Sequence, residues 1–207
     1  MKLILLPSIT ILVLVLHHNL RKSNGIEKRG ISAYLKQEDQ ANSTRRQDIS
    51  GLPYIEVPLD TFPLDITLND EKKQIKITEY KKQILALSQK QMLNLIGVSN
   101  TQLKKLYGPA NLELLTICDQ NYSLYLRNLQ LFAECIYDEY PEDAVSVLEY
   151  CISTGTDISG TYDLLARYYA AHGMTDKFAK LYDRIPDKDS IAGKVIVKKL
   201  DTLNPSA

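Results

Sequence analysis

Residues 162–185 have the sequence YDLLARYYAAHGMTDKFAKLYDRI, and this stretch decides the fold. Its apolar side chains recur every three or four residues, which is the spacing of a buried helix face. The pattern is interrupted at Gly173, and glycine commonly ends helices. Residues 162–185 therefore predict two amphipathic helices joined by a tight turn.

The sequence just before this stretch has a similar organisation. Moving the chain along itself by 34 residues matches apolar or small residues with apolar or small residues at six positions. The pairs are Leu131 with Leu165, Phe132 with Ala166, Cys135 with Tyr169, Ala144 with Phe178, Leu148 with Tyr182 and Cys151 with Ile185. We therefore predict two consecutive helix hairpins, with helices at about Asn121–Tyr137, Pro141–Ser153, Ile158–His172 and Thr175–Asp183.

A helix-turn-helix period of 34 residues is that of the tetratricopeptide repeat (TPR), and residues 162–185 resemble this family in detail. Leu165 and Ala166 stand at the family's Leu-Gly/Ala positions. Tyr169 stands at its aromatic position and Gly173 at its mid-repeat glycine. The resemblance extends over about residues 125–190 and implies an all-α fold.

The sequence also departs from the TPR pattern at three positions. Phe178 stands where a small residue is usual. In the first copy, Phe132 occupies the small position and Glu139 the glycine position. A plain antiparallel helical bundle with accidental spacing therefore remains the alternative to a short TPR-like solenoid.

The resemblance implies a binding site as well as a fold. Repeats of this kind bind an extended peptide or a partner helix on the concave face formed by the first helix of each pair. We expect the exposed positions of those helices to include four candidate partner-binding residues, Asn128, Asp163, Arg167 and Tyr168.

A further helix precedes the repeat. Asn69 or Asp70 is placed to cap a helix from about Glu71 to Ser88. Its expected apolar face comprises Ile75, Ile77, Tyr80, Ile84 and Leu87.

Three other segments complete the predicted helical domain. A second helical segment is expected at residues 91–97 (QMLNLIG). Ser99 and Gln102 form a capping box for a short helix that stops at Tyr107 and Gly108. Residues 191–203 (IAGKVIVKKLDTL) are expected to cap the repeat at its C-terminal end.

Residues 51–69 contain prolines at positions 53, 58 and 63, which forbid a continuous helix. The segment is nevertheless too apolar for a free linker. We expect an extended strap lying on the helical domain, and a partner-binding strand is the alternative.

Leu3 to Leu16 form an uncharged apolar run, and Arg21, Lys22 and Lys28 follow it. Counted to Leu20, the segment reaches the lower limit for crossing a bilayer. Bases after the run place the following chain in the cytoplasm. We therefore predict a single-pass membrane protein with a cytoplasmic domain. A signal segment that delivers the domain outward, cleaved or uncleaved, remains the alternative.

These features divide the chain into five parts. Residues 1–20 are the anchor, 21–50 a charged juxtamembrane linker and 51–69 the strap. Residues 70–118 hold the N-terminal helices, and residues 119–207 hold the TPR-like repeats with their capping helix. Residues 41–60 and 97–112 are also similar to stretches of uncharacterised anchored proteins of clostridial bacteria, a resemblance that implies no activity.

The composition gives little support for catalysis or nucleic-acid binding. Formal net charge is zero, although residues 119–163 carry nine acids and one base, and residues 164–207 carry eight bases and five acids. No HExxH, G-x-S-x-G, Walker A or Rossmann glycine motif occurs in the sequence. The acids at 134, 138, 139, 142 and 143 lack the spacing of a calcium loop. We therefore predict no catalytic residues, cofactor, metal or nucleic-acid partner.

The predicted function is protein–protein interaction at the membrane, with another protein or a peptide as partner. Self-association is left open, because an acidic middle and a basic tail can pair between copies. One alternative is an outward-facing or secreted helical domain that acts in cell-envelope assembly. The other is an enzyme, which requires a cleft beneath the strap lined by carboxylates of the acidic segment.

Overall fold

The computed structural model describes residues 31–204, which form two compact units. The smaller unit comprises residues 31–48 and 99–112, and the larger comprises residues 49–98 and 113–204. All regular secondary structure within residues 31–204 is helical, so the predicted all-α class is confirmed. The predicted anchor at 1–20 lies outside these residues. Within them, no helix combines the length and apolarity needed to span a bilayer.

Eight α-helices follow one another along the described chain. Helix α1 covers residues 31–42, α2 Glu71–Ser88, α3 Asn100–Tyr107 and α4 Leu112–Ile136. Helix α5 covers Pro141–Ser153, α6 Ser159–Ala171, α7 Thr175–Asp183 and α8 Ile191–Leu203. Short 3-10 turns lie at Leu59–Thr61 and Pro109–Asn111.

In the smaller unit, side-chain hydrogen bonds join α1 to α3. Glu38 accepts hydrogen bonds from Thr101 Oγ1 (2.7 Å) and from Lys104 Nζ. The predicted capping box is confirmed: Ser99 Oγ accepts from the Gln102 amide, and the Gln102 side chain accepts from the Ser99 amide. These local bonds explain why the start of α3 was predictable.

In the larger unit, α2 has the predicted bounds. Asp70 is the cap, because its Oδ1 accepts from the amides of Lys72 (2.8 Å) and Lys73 (3.1 Å). The expected apolar face is wrong for Ile75, which is 65% exposed. Ile75 precedes the buried Ile77 by two residues, and such positions point to different sides of a helix.

The strap (residues 51–69) contains no α-helix and packs on the core of the larger unit. The Phe62 ring meets the Tyr150 ring edge-on, with centroids 4.9 Å apart. Beyond its C-terminal end, Asn69 Nδ2 donates to Glu139 Oε2 at 2.7 Å, next to the loop that precedes α5. Phe62 and Leu68 are buried.

The helix predicted at residues 91–97 is wrong. Residues 91–95 carry no helix because their polar backbone groups bond to other segments. The Leu93 amide donates to Cys118 O, the Leu95 amide to Asp119 Oδ1, and Met92 O accepts from the Ile55 amide. The apolar side chains of Met92 and Leu93 are buried against the core.

Helix α4 begins at Leu112 rather than at the predicted Asn121. Residues 112–121 contain neither glycine nor proline, and the turn at Pro109–Asn111 continues directly into the helix. The boundary drawn between residues 118 and 119 thus falls inside α4. Leu115 and Cys118 give this early part a buried face.

The two helix hairpins α4–α5 and α6–α7 turn in different ways. After α6, Gly173 has φ +66°, and the Met174 amide donates back to Tyr169 O at 2.8 Å. This is a Schellman ending, which requires a left-handed residue. After α4, the amides of Glu139 and Tyr140 both donate to Ile136 O. No residue other than glycine has a positive φ within 31–204, so Glu139 does not reproduce the conformation of Gly173.

Candidate binding groove between α6 and α8

Helix α6 occupies a central position in the larger unit, because it packs against α5, α7 and α8. Tyr162, fully buried in its first half, places its hydroxyl 2.9 Å from both Thr156 O and Arg184 O. The hydroxyl proton is shared between these two carbonyls. Tyr162 thus ties the start of α6 to the loop before it and to the end of α7.

The C-terminal end of α6 is held by a second aromatic residue. The Tyr168 ring stacks on the His172 ring, with centroids 4.0 Å apart. His172 Nδ1 also lies 2.8 Å from Tyr168 O, one turn earlier. Both ends of α6 are therefore fixed, and the positions of its outward side chains follow.

Helix α8 lies beside α6 and buries one face. Ile196 and Leu200 are 0% exposed. Ser190 caps the helix by accepting from the Gly193 amide at 3.0 Å. Val195 lies on the opposite side of the helix and is 44% exposed.

The close approach of α8 to the preceding turn depends on Gly193. A Cβ at this position would overlap the carbonyl oxygen of Asp187 and would lie 2.8 Å from Lys188 Cα. The turn has its own support, since Ser190 Oγ donates to Asp187 O at 2.8 Å. A side chain at position 193 would therefore push α8 away from its seat.

A groove of about 400 Å³ lies between the outward faces of α6 and α8. Its walls are Asp163 and Arg167 from α6 and Val195, Lys198, Lys199, Thr202 and Leu203 from α8. Val195 and Leu203 give it apolar surface, and the other five side chains are polar or charged. Mixed surfaces of this kind are typical of sites that bind another macromolecule.

Two of the four predicted partner-binding residues, Asp163 and Arg167, line this groove and contact each other. Arg167 Nε donates to Asp163 Oδ2 at 2.9 Å, and Arg167 Nη2 lies 3.5 Å from Asp163 Oδ1. The hydrogen bond to Asp163 raises the pKa of Arg167 further above its usual value. The Arg167 side chain is 59% exposed and that of Asp163 is 22% exposed.

The expectation of exposure is wrong for the other two residues, Asn128 and Tyr168. Asn128 is 5% exposed and its Nδ2 donates to Leu124 O within the same helix. It stands one repeat before the buried Tyr162, so it faces inward. Tyr168 is 8% exposed because its ring packs on His172 and Tyr169. Neither side chain lines the groove.

A second groove of about 400 Å³ lies on the other side of α6. Its lining comes from α2 and α4, the turn after α4, and Leu164 of α6. Within it, Lys73 Nζ donates to Asp138 Oδ2 at 2.7 Å. Burial raises the pKa of Tyr137 in this groove, an effect that the nearby charge of Arg167 opposes. Arg167 therefore lies close to both grooves.

The acidic cluster predicted to be solvated surface is partly used in contacts. Asp138 pairs with Lys73, and Glu139 accepts hydrogen bonds from Asn69. Within residues 31–204, no group of three or more His, Cys, Asp or Glu side chains is placed to hold a metal ion. Cys118 and Cys151 are buried and Cys135 is half-buried, and all three are free thiols.

Sequence reasoning missed Val195, Lys198 and Lys199, because it treated α8 only as a cap. The signal that finds them is the 34-residue period applied once more. Residues 159–171 of α6 then fall on residues 193–205, which overlap α8. The buried Tyr162 falls on the buried Ile196.

Comparisons with known proteins complete the description of the groove. No protein-family model matches the chain. No curated protein and no solved structure matches it either.

Proposed function

We propose that this protein is a membrane-anchored adaptor whose larger unit binds a segment of another protein in the groove between α6 and α8. The observation that carries the proposal is the groove itself, whose apolar residue Val195 is 44% exposed between charged walls. Exposed apolar surface with a polar rim is a common feature of protein-binding sites. Asp163 and Arg167 are the proposed partner-binding residues on α6.

The recurrence of buried positions supports a TPR-like solenoid as the frame of this adaptor. At a spacing of 34 residues, Phe132, Ala166 and Leu200 are all at most 1% exposed. Asn128, Tyr162 and Ile196 form a second such series, at most 5% exposed. We infer that α4, α6 and α8 are equivalent first helices of successive repeats, which would place the α6/α8 groove on the concave face.

The test is site-specific photocrosslinking from the groove in living cells. A photoreactive amino acid at Val195 of the full chain is expected to give a discrete adduct with a partner protein. The control is the same substitution at Leu85 of α2, which is 39% exposed and lies outside both grooves. A second variant, Thr202→Trp, should suppress the Val195 adduct because the larger side chain fills the groove.

An adduct from Val195 that persists in the Thr202→Trp chain, or an equal adduct from Leu85, would contradict binding in this groove. Adducts at Val195 that contain only a second copy of the chain would replace the adaptor with a self-assembling protein.

We also propose that residues 1–20 anchor the chain with its larger unit in the cytoplasm. Protease added to intact spheroplasts should leave a C-terminal epitope uncut, and lysis should expose it. The bases that follow the apolar run support this orientation. Digestion in intact spheroplasts would favour the outward-facing alternative, with envelope proteins as partners.

A further inference from the structure

We propose that the α6/α8 groove selects a partner segment in which acidic side chains flank an apolar one, and that Asp163 acts as an internal substitute for that acid. This inference rests on the proposed function, because it specifies the chemistry of the segment bound in the same groove. It follows from the charges, the shape and the ion pair of the groove.

The groove carries more positive than negative charge. Its lining holds three cations, Arg167, Lys198 and Lys199, and one carboxylate, Asp163. In the part of the chain that the structure describes, neither Lys198 nor Lys199 has a carboxylate within ion-pair distance. These two ammonium groups are therefore available to an incoming acid.

The acid nearest to these lysines along α8 is turned to another purpose. Asp201 Oδ1 accepts a hydrogen bond from Tyr182 Oη at 2.8 Å, which directs the carboxylate toward α7. Asp201 is also absent from the lining of the groove. The positive charge of the groove is thus not cancelled by its own helix.

The apolar residues of the groove limit what can bind there. Val195 and Leu203 are eight residues apart on α8, a distance of about 12 Å along a helix. An extended segment of about three or four residues covers this length. An aliphatic side chain between two acids would contact Val195 or Leu203 while the acids reach Lys198, Lys199 or Arg167.

This arrangement favours an acidic peptide over a nucleic acid or an anionic lipid. Nucleic-acid sites track a phosphate backbone with a continuous basic strip and offer aromatic rings to the bases. Here the lining contains no aromatic side chain, and Asp163 would repel a phosphate. The chain as a whole has zero net charge and so provides no overall attraction for a polyanion.

Asp163 controls how available Arg167 is. The two residues are one helical turn apart, and their contact is exposed to solvent on the arginine side. Such pairs are weak and exchange readily with an external carboxylate. An incoming acid that displaces Asp163 gains Arg167 but meets the negative charge of Asp163. Removing that charge should therefore tighten binding.

The experiment starts from a phage-displayed library of random twelve-residue peptides. The probe target is the full chain in mild detergent, captured through an N-terminal tag. Peptides enriched on the wild-type chain but not on Thr202→Trp are expected to contain Asp or Glu on both sides of an aliphatic residue. One enriched peptide is then synthesised with a fluorophore, and its Kd is measured by anisotropy.

Three variants test the assignment of charge. The double variant Lys198→Glu and Lys199→Glu is expected to weaken binding about tenfold or more, since attraction becomes repulsion. The control, Lys82→Glu with Lys90→Glu, makes the same change in net charge at exposed positions outside the groove, and it should change Kd less than about twofold. Asp163→Asn should tighten binding about threefold, which is the scale of an exposed pair.

The outcomes separate the two proposals. Groove-dependent peptides that are neutral or basic would overturn acid selection and leave the binding function standing. No groove-dependent enrichment would overturn both. Displacement of the labelled peptide by a twelve-residue oligothymidylate or by phosphatidylglycerol vesicles, at equal concentration of negative charge, would overturn the peptide assignment in favour of another anion.

Discussion

Replacing Gly193 with alanine is expected to destabilise the larger unit by about 3 kcal/mol, the upper part of the range for overpacking a tight contact. The added Cβ would overlap Asp187 O and lie 2.8 Å from Lys188 Cα. Both are backbone atoms, so neither can move without shifting the turn. Helix propensity acts in the opposite direction, since alanine stabilises a helix by about 1 kcal/mol relative to glycine. The overlap is the larger effect.

The matched control for Gly193→Ala is Gly160→Ala in the first turn of α6. A Cβ at Gly160 would meet the Gln130 side chain, with Nε2 at 2.9 Å, and this flexible amide has room to rotate. We expect a change of about 1 kcal/mol or less in either direction. Urea unfolding followed by circular dichroism measures both variants, and hydrogen exchange locates the loss in α8. Equal stability of Gly193→Ala and wild type would show that α8 is not seated as described.

Replacing Tyr162 with alanine is expected to lower the free energy of unfolding of the larger unit by about 4 kcal/mol. The side chain is 0% exposed, so its removal leaves a cavity at the start of α6. The change also removes the hydroxyl that lies 2.9 Å from Thr156 O and Arg184 O. Tyr162→Phe keeps the ring and isolates the hydroxyl, with an expected loss of about 1–2 kcal/mol.

The test of the Tyr162 pair is the difference between two denaturation midpoints measured at neutral pH. Burial raises the pKa of Tyr162 above that of a free tyrosine. The neutral hydroxyl is favoured in the folded state, so its contribution is complete below about pH 10 and declines at higher pH. A Tyr162→Phe chain as unstable as Tyr162→Ala would mean that the hydroxyl, and not the ring, carries the stabilisation.

Local sequence signals predicted the helices whose ends are fixed locally. Asp70 caps α2 through its own side chain, and Pro141 begins α5 where a proline is tolerated. The bounds of α2, α5 and α7 match the prediction. The segment at residues 91–95 could not be predicted in this way, because its backbone bonds go to partners as far along the chain as Ile55 and Cys118.

The candidate site was predictable only in part, for a related reason. Asp163 and Arg167 were found because they are charged and stand one turn apart on an amphipathic helix. Tyr168 was misplaced because its burial depends on stacking with His172, a contact that periodicity does not reveal. Lys198 and Lys199 gain their meaning from the packing of α8 on α6, which a reading of α8 alone does not supply.

The contacts of the strap bear on the order in which the larger unit folds. The hairpins α4–α5 and α6–α7 join residues that are near one another along the chain, so closing their loops costs little conformational entropy. Asn69 and Glu139, by contrast, are 70 residues apart, and Phe62 meets Tyr150 across a still longer loop. Local contacts form fastest in small domains. The helical hairpins should therefore assemble first and present the surface on which the strap then settles, making the strap a late-forming layer rather than part of the folding nucleus.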